Sequence, residues 1–182
     1  ALLEFCSESE IPFLEKQQER NFHLVPQPRI HKSSPERKYT LEPAEIFEIM
    51  QALTRAKGKW ESTGCFHRAG IFDPLNDRFL FAAEDIGRHN CLDRLAGWAL
   101  SNSVNLRNTA IFVSARATAS LVQKAVKAGF PLMVSRSATT SAALELAASN
   151  DMTLVGFVRE KRFTLFTDLK QRIRPSSDNW TR

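Results

Sequence analysis

No two cysteines in this 182-residue chain lie close together; Cys6, Cys65 and Cys91 are all it has. An odd number of scattered cysteines excludes a disulfide framework and fits a reducing, cytoplasmic setting. No pair has zinc-ligand spacing. No apolar run approaches the ~20 residues of a membrane span. No basic start followed by an apolar segment is visible, so the sequence offers no secretory signal. Internal repeats and low-complexity tracts are also missing. Tyr39 is the sole tyrosine, and most phenylalanines fall inside apolar runs. The aromatic platform of single-strand nucleic-acid binders is therefore lacking. The net charge of +5 and the pI near 9.4 need another use than long polyanions.

What is present is a regular alternation. Residues 1–39 read as an N-terminal segment and linker, with "PQPRIHKSSPERK" (26–38) rich in Pro, Ser and charge. "LEPAEIFEIMQALTRAKG" predicts a helix with Pro43 in its first turn, a buried stripe of Ile46, Ile49, Met50 and Leu53, and Gly58 as its stop. "FLFAA" (79–83), "TAIFVSA" (109–115), "PLMVS" (131–135), "TLVGFV" (153–158) and "FTLF" (163–166) predict strands. Between the first four lie helical patterns, one closed by Gly129 and another by Asn150. Non-alternating apolar strands separated by helices predict a three-layer α/β domain over 40–170, its sheet mixed but mainly parallel. Residues 171–182 read as a polar tail.

In open parallel sheets, ligands sit outside the carboxyl ends of the strands. The segments that follow the first four strands are "EDIGRHN", "SARATAS", "SRSATTS" and "REKR". Each carries arginine: Arg88, Arg116, Arg136, and the pair Arg159 and Arg162. Three of them open helices, with Asp85, Thr118, and Ser137 or Thr139 available as caps. Helix N-termini with arginine forks make anion sites. Four on one edge predict a pocket for a polyanion such as a nucleotide diphosphate.

"TGCFHRAG" (63–70) brings Cys65 near His67. We read Cys65 as a small buried residue rather than a nucleophile, and His67 as lining the site, with Gly64 and Gly70 marking close backbone approach. Zinc deaminases carry His-x-Glu and a downstream Cys-x-x-Cys. Here Ala69 stands at the glutamate position and no such pair follows, which excludes deaminase chemistry. Cys91 is read as packing, and His89 as either a phosphate donor or a helix-start hydrogen-bonding group. In "EDIGRHN", Asp85 is expected to cap the helix, Gly87 to admit a ligand, and Glu84 to align Arg88.

Five segments, "STGCFHRAGIFD", "EDIGRHNCLDR", "SARATASLVQKA", "VSRSATTSAALELA" and "TLVGFVREKRFTLFT", resemble in order the hallmark stretches of the FdhD family. A fainter echo is "QQERNF" (17–22). The resemblance implies a fold similar to cytidine deaminases, and a sulfur carrier or sulfurtransferase that serves formate dehydrogenase. Sulfur would pass from a cysteine desulfurase to the molybdenum (or tungsten) bis-guanine-dinucleotide cofactor, with guanine nucleotide as a mimic of that ligand. It further implies that Phe157, Val158, Arg159, Glu160, Lys161 and Arg162 bind the cofactor, and it allows a homodimer. Glu160, Ala115 and Thr139 depart from the family's usual glycine, glycine and proline. The family's sulfur-carrying Cys-x-x-Cys is absent. Either this member has lost it, or a mobile segment at the Val25–Pro26 juncture is missing from the chain; we favour the second. The alternative function is a cofactor- or nucleotide-binding chaperone without sulfur chemistry.

Overall fold

A computed structural model describes residues 38–59, 63–159 and 162–174. The N-terminal segment up to residue 37, the "QQERNF" echo and the Val25–Pro26 juncture lie outside the described residues. The first helix, α1 (Pro43–Arg55), buries Pro43, Ile46, Ile49, Met50 and Leu53 along the face its spacing predicts. It ends at Arg55 with Ala56 as its C-cap, before the expected stop at Gly58.

A hairpin follows, β1 (His67–Asp73) and β2 (Arg78–Asp85), then α2 (Arg88–Ser101). Next come β3 (Ala110–Val113), α3 (Ala119–Ala128), β4 (Leu132–Ser135) and α4 (Ser141–Ser149). The sheet closes with β5 (Thr153–Arg159) and β6 (Arg162–Thr167), and its order is β2-β1-β3-β4-β5-β6. The β3–β4 and β4–β5 pairings are parallel, and the other three are antiparallel. Strands β2, β3, β4 and β5 thus run the same way, with β1 and β6 reversed.

The sequence reading lacks β1, taking this stretch as a site loop. Its apolar run is broken by Arg68, which nevertheless lies inside the protein at 3% exposure. Gly70, expected near a ligand, sits in mid-strand, where an added Cβ would meet the Phe79 ring at 2.6 Å. It is a packing glycine.

Successive strand residues face opposite layers. Ile111 and Val113 join the core beneath α2, α3 and α4, with Leu95, Leu121 and Ala143. Ala110 and Phe112 join the core beneath α1, with Ile46 and Met50. Burial on both sides explains the non-alternating sequences of β3 and β4. The chain beyond residue 170 is not simply a polar tail. Ile173 and Arg172 are buried, and Leu41 N donates to Arg172 O at 2.8 Å. The domain therefore extends to at least residue 174.

Arg68 ties three elements together. Its Nε donates to Glu84 on β2, and its Nη1 donates to the carbonyls of Leu53 (3.3 Å) and Thr54 (3.0 Å) at the end of α1. Its backbone N donates to Ser114 Oγ beyond β3 at 2.9 Å. Removing one partner of a buried ion pair strands the other charge. Glu84→Ala is expected to destabilise the domain by about 3 kcal/mol; urea unfolding of the variant beside the wild type measures it.

Candidate functional site

Because β2, β3, β4 and β5 run the same way, their carboxyl ends lie along one edge of the sheet. The reversed strands bring their first residues there, His67 from β1 and Arg162 from β6. His67 is the register partner of Asp85, and Arg159 of Arg162. All the arginines singled out in sequence therefore lie at or just beyond this edge.

One cavity of about 550 Å³ is lined by Arg116, Ser137, Phe157, Arg159, Arg162 and Phe163. Its size suits a ligand of nucleotide dimensions. Arg136 borders a neighbouring groove beside α1, sharing Arg159 with the first. Val158 points the other way, buried in the α1-side core, so its side chain does not face this cavity. Glu160 and Lys161 lie outside the described residues. Ser137 was foreseen only as a cap, and Phe163 only as a strand residue. Alternation along β6 offered the one hint for Phe163.

Backbone and hydroxyl groups lock the edge together. Ser135 Oγ donates to Ala115 O at 2.7 Å, and Ser137 Oγ donates to Ser114 O at 3.0 Å. Ala117 N donates to Ala138 O and Thr140 N to Ala117 O, so the turns after β3 and β4 form a small bridge of their own. Phe157 N donates to Ser137 O at 2.9 Å, which joins β5 to the same unit. Phe157 holds a left-handed backbone, φ 55°, at an irregularity in the β5–β6 pairing. The residue is 42% exposed.

The helix starts differ from expectation. Gly87, Thr118 and Thr140 are the N-caps of α2, α3 and α4, and of these only Thr140 accepts a bond through its side chain, from Ala143 N. Asp85 instead forms a turn, accepting from Gly87 N at 2.9 Å and Asn90 Nδ2 at 3.0 Å. Gly87 has the Asn90 side chain packed against it, which closes the approach expected there. Glu84 pairs with Arg68, not with Arg88 as expected. His89 Nε2 lies 3.0 Å from Ser120 Oγ, joining the first turns of α2 and α3.

Burial pushes His67 below the ordinary imidazole value, and the nearby Arg88 and Arg116 push it further. His89 is lowered in the same sense by burial, then by Arg88 and Lys124, with Asp93 opposing. The hydrogen bonds from Gly87 N–H and Asn90 hold the Asp85 carboxyl low. Cys91 is buried, and burial followed by the Asp85 charge raises its thiol to about 11, which makes it packing rather than a nucleophile. Cys65 is exposed, contrary to expectation, in the loop that precedes β1.

The chain is a three-layer α/β domain that gathers arginines along one edge of its sheet. The chain belongs to the FdhD/NarQ family, whose pattern it matches over residues 15–174. It is 38% identical over 122 residues to "Protein FdhD" of Methanocaldococcus jannaschii, covering 67% of this chain and 53% of the relative. It is 34% identical over 139 residues to "Sulfur carrier protein FdhD" of Halalkalibacterium halodurans, covering 76% of this chain and 51% of that one. The chain spans about half the length of these relatives. A crystal structure assigned to a formate dehydrogenase accessory protein of Desulfotalea psychrophila superimposes with a TM-score of 0.68 at 31% identity, over 77% of this chain and 62% of that one. Among the described residues, no helix is long and apolar enough to cross a membrane.

The imidazole shifts set a pH dependence. Folded His67 and His89 bind protons less readily than the unfolded chain does, so stability rises with pH across the imidazole range and falls as they are forced to charge. Unfolding free energy is expected to decline from about pH 7 to about pH 5. His67→Gln should flatten that slope, as read by urea titrations at each pH.

Proposed function

We propose that this protein holds a guanine-nucleotide-bearing metal cofactor at its arginine edge while formate dehydrogenase is being matured, and that it serves as a sulfur carrier in that process. The observation carrying the proposal is the cavity in which Arg116, Arg159 and Arg162 meet Phe157 and Phe163. Guanidinium forks suit phosphate oxygens, and the aromatic faces suit a purine ring. The names of the relatives, a sulfur carrier and a formate dehydrogenase accessory protein, support the same direction.

In this reading the substrate is the molybdenum or tungsten bis-guanine-dinucleotide cofactor. Its diphosphates would lie against Arg116, Arg159 and Arg162. The rigid edge holds these cations in place before the ligand arrives, so binding needs little rearrangement. Sulfur would come from a cysteine desulfurase as a persulfide, which needs an exposed thiolate of low pKa. Cys91, buried and raised, does not meet that requirement, and no Cys-x-x-Cys occurs in the sequence. In a second reading, the chain binds the cofactor or a guanine nucleotide without handling sulfur. Loading with a desulfurase and cysteine, followed by mass spectrometry, separates the two: a persulfide adduct supports the carrier, and none supports the chaperone.

Binding tests the shared part of both readings. Guanosine diphosphate is expected to bind, and Arg159→Ala with Arg162→Ala to weaken it by about 3 kcal/mol in total, since each charge-assisted bond contributes roughly 1.5–3 kcal/mol. Calorimetry that finds the same affinity in the double variant overturns the assignment of this cavity.

A further inference from the structure

Beside the cavity lies a second basic cluster, His67, Arg88 and Arg116, of which only Arg116 also lines the cavity. Strand β1 is inserted between β2 and β3, so His67 emerges between the turn that carries Arg88 and the turn that carries Arg116. Arg88 is the first residue of α2, and Arg116 lies three residues before α3. The first turns of both helices meet here through His89 and Ser120. Neither turn is capped by a side chain.

Among the described residues, the acidic groups near this cluster are engaged elsewhere. Glu84 is committed to Arg68, and Asp85 to Gly87 N–H, Asn90 and, at 3.8 Å, Arg94. Asp93 pairs with Lys124. Among the described residues, no acidic side chain forms an ion pair with Arg88 or Arg116. Arg88 Nε is moreover shielded from solvent and has no hydrogen-bond partner among those residues. A buried donor of a charged group left without an acceptor is costly, and an anion oxygen would remove that cost.

We propose that His67, Arg88 and Arg116 form a second oxoanion subsite that takes one phosphate group, with Arg116 shared between this subsite and the nucleotide cavity. It builds on the nucleotide reading above by adding a second anion position next to the first. The fit is chemical. Two planar forks and an imidazole N–H present donors to several oxygens of one tetrahedral group, and two helix N-termini add partial positive charge. Shared use of Arg116 couples the two positions, so occupation of one alters affinity at the other by the same factor in both directions. The phosphate is either free or a group of the nucleotide ligand itself.

Histidine NMR reads the subsite directly in the full chain. Burial, and after it the two arginines, hold His67 low, and an anion between the arginines offsets their field. Inorganic phosphate is therefore expected to move the His67 titration midpoint upward. Arg88→Met should weaken the phosphate effect about tenfold, a loss of one charge-assisted contact, while Arg159→Ala with Arg162→Ala should leave it in place. If guanosine diphosphate alone moves His67 and displaces phosphate, the nucleotide's own phosphate fills the subsite. If phosphate persists with nucleotide bound, the anion is separate; either outcome supports the proposal. A His67 midpoint that neither probe moves in the wild type overturns it, as does an undiminished phosphate effect in Arg88→Met. Nucleotide binding with a His67 that neither nucleotide nor phosphate moves would sink this subsite and leave the cavity standing. A phosphate response without nucleotide binding would do the reverse.

Discussion

The Arg68 guanidinium decides how the cationic edge can exist. It is buried between the end of α1 and the β1–β2 hairpin, and its partner Glu84 comes from the same rim as the outer arginines. Were Glu84 turned toward Arg88, the rim would neutralise itself. By drawing this carboxylate inward, Arg68 fixes the hairpin against α1 and keeps Glu84 from pairing with Arg88. Structural support and electrostatic exposure thus come from one ion pair. Such a pair adds little net stability over an apolar substitute, but losing half of it is severe.

Like charges gathered at one edge repel, and a loose edge would splay. The serine ladder opposes this. Ser114, Ser135 and Ser137 join three turns through bonds to backbone groups, and the Ala117–Thr139 bridge adds a second tie. Small hydroxyls suit the purpose, because they satisfy backbone donors and acceptors without occupying the space above them. The result is a set of cations held at fixed spacing by the scaffold, the condition under which charged groups act strongly on a ligand.

Much of the fold could be read from the sequence because its signals are local. The stripe of α1, the αL glycine at 129 that ends α3, and the apolar runs of β3 and β4 each carry their own pattern. β1 could not be read, since its central position depends on Arg68 finding Glu84 16 residues away. The arginines of the site were legible from their repeated place after strands. Their division between a cavity, a groove and a recess was not. That division depends on β1 running against its neighbours and delivering His67 between two turns, a fact of topology rather than of spacing. The caps failed for a related reason: Asp85, Thr118 and Thr139 are all suitable residue types, yet none of them caps a helix through its side chain, and Thr140 does so at α4.

Phe157 shows what the edge asks of the chain. A bulky residue with φ of 55° occupies a conformation that glycine adopts at little cost. The bond from its N–H to Ser137 O secures that backbone, and the ring is left partly exposed at the cavity wall. A glycine there would relieve the local strain and remove the ring. Under the proposed function, selection for thermal robustness and selection for grip on an aromatic ligand pull in opposite directions at this position, and the residue found is the one that suits grip.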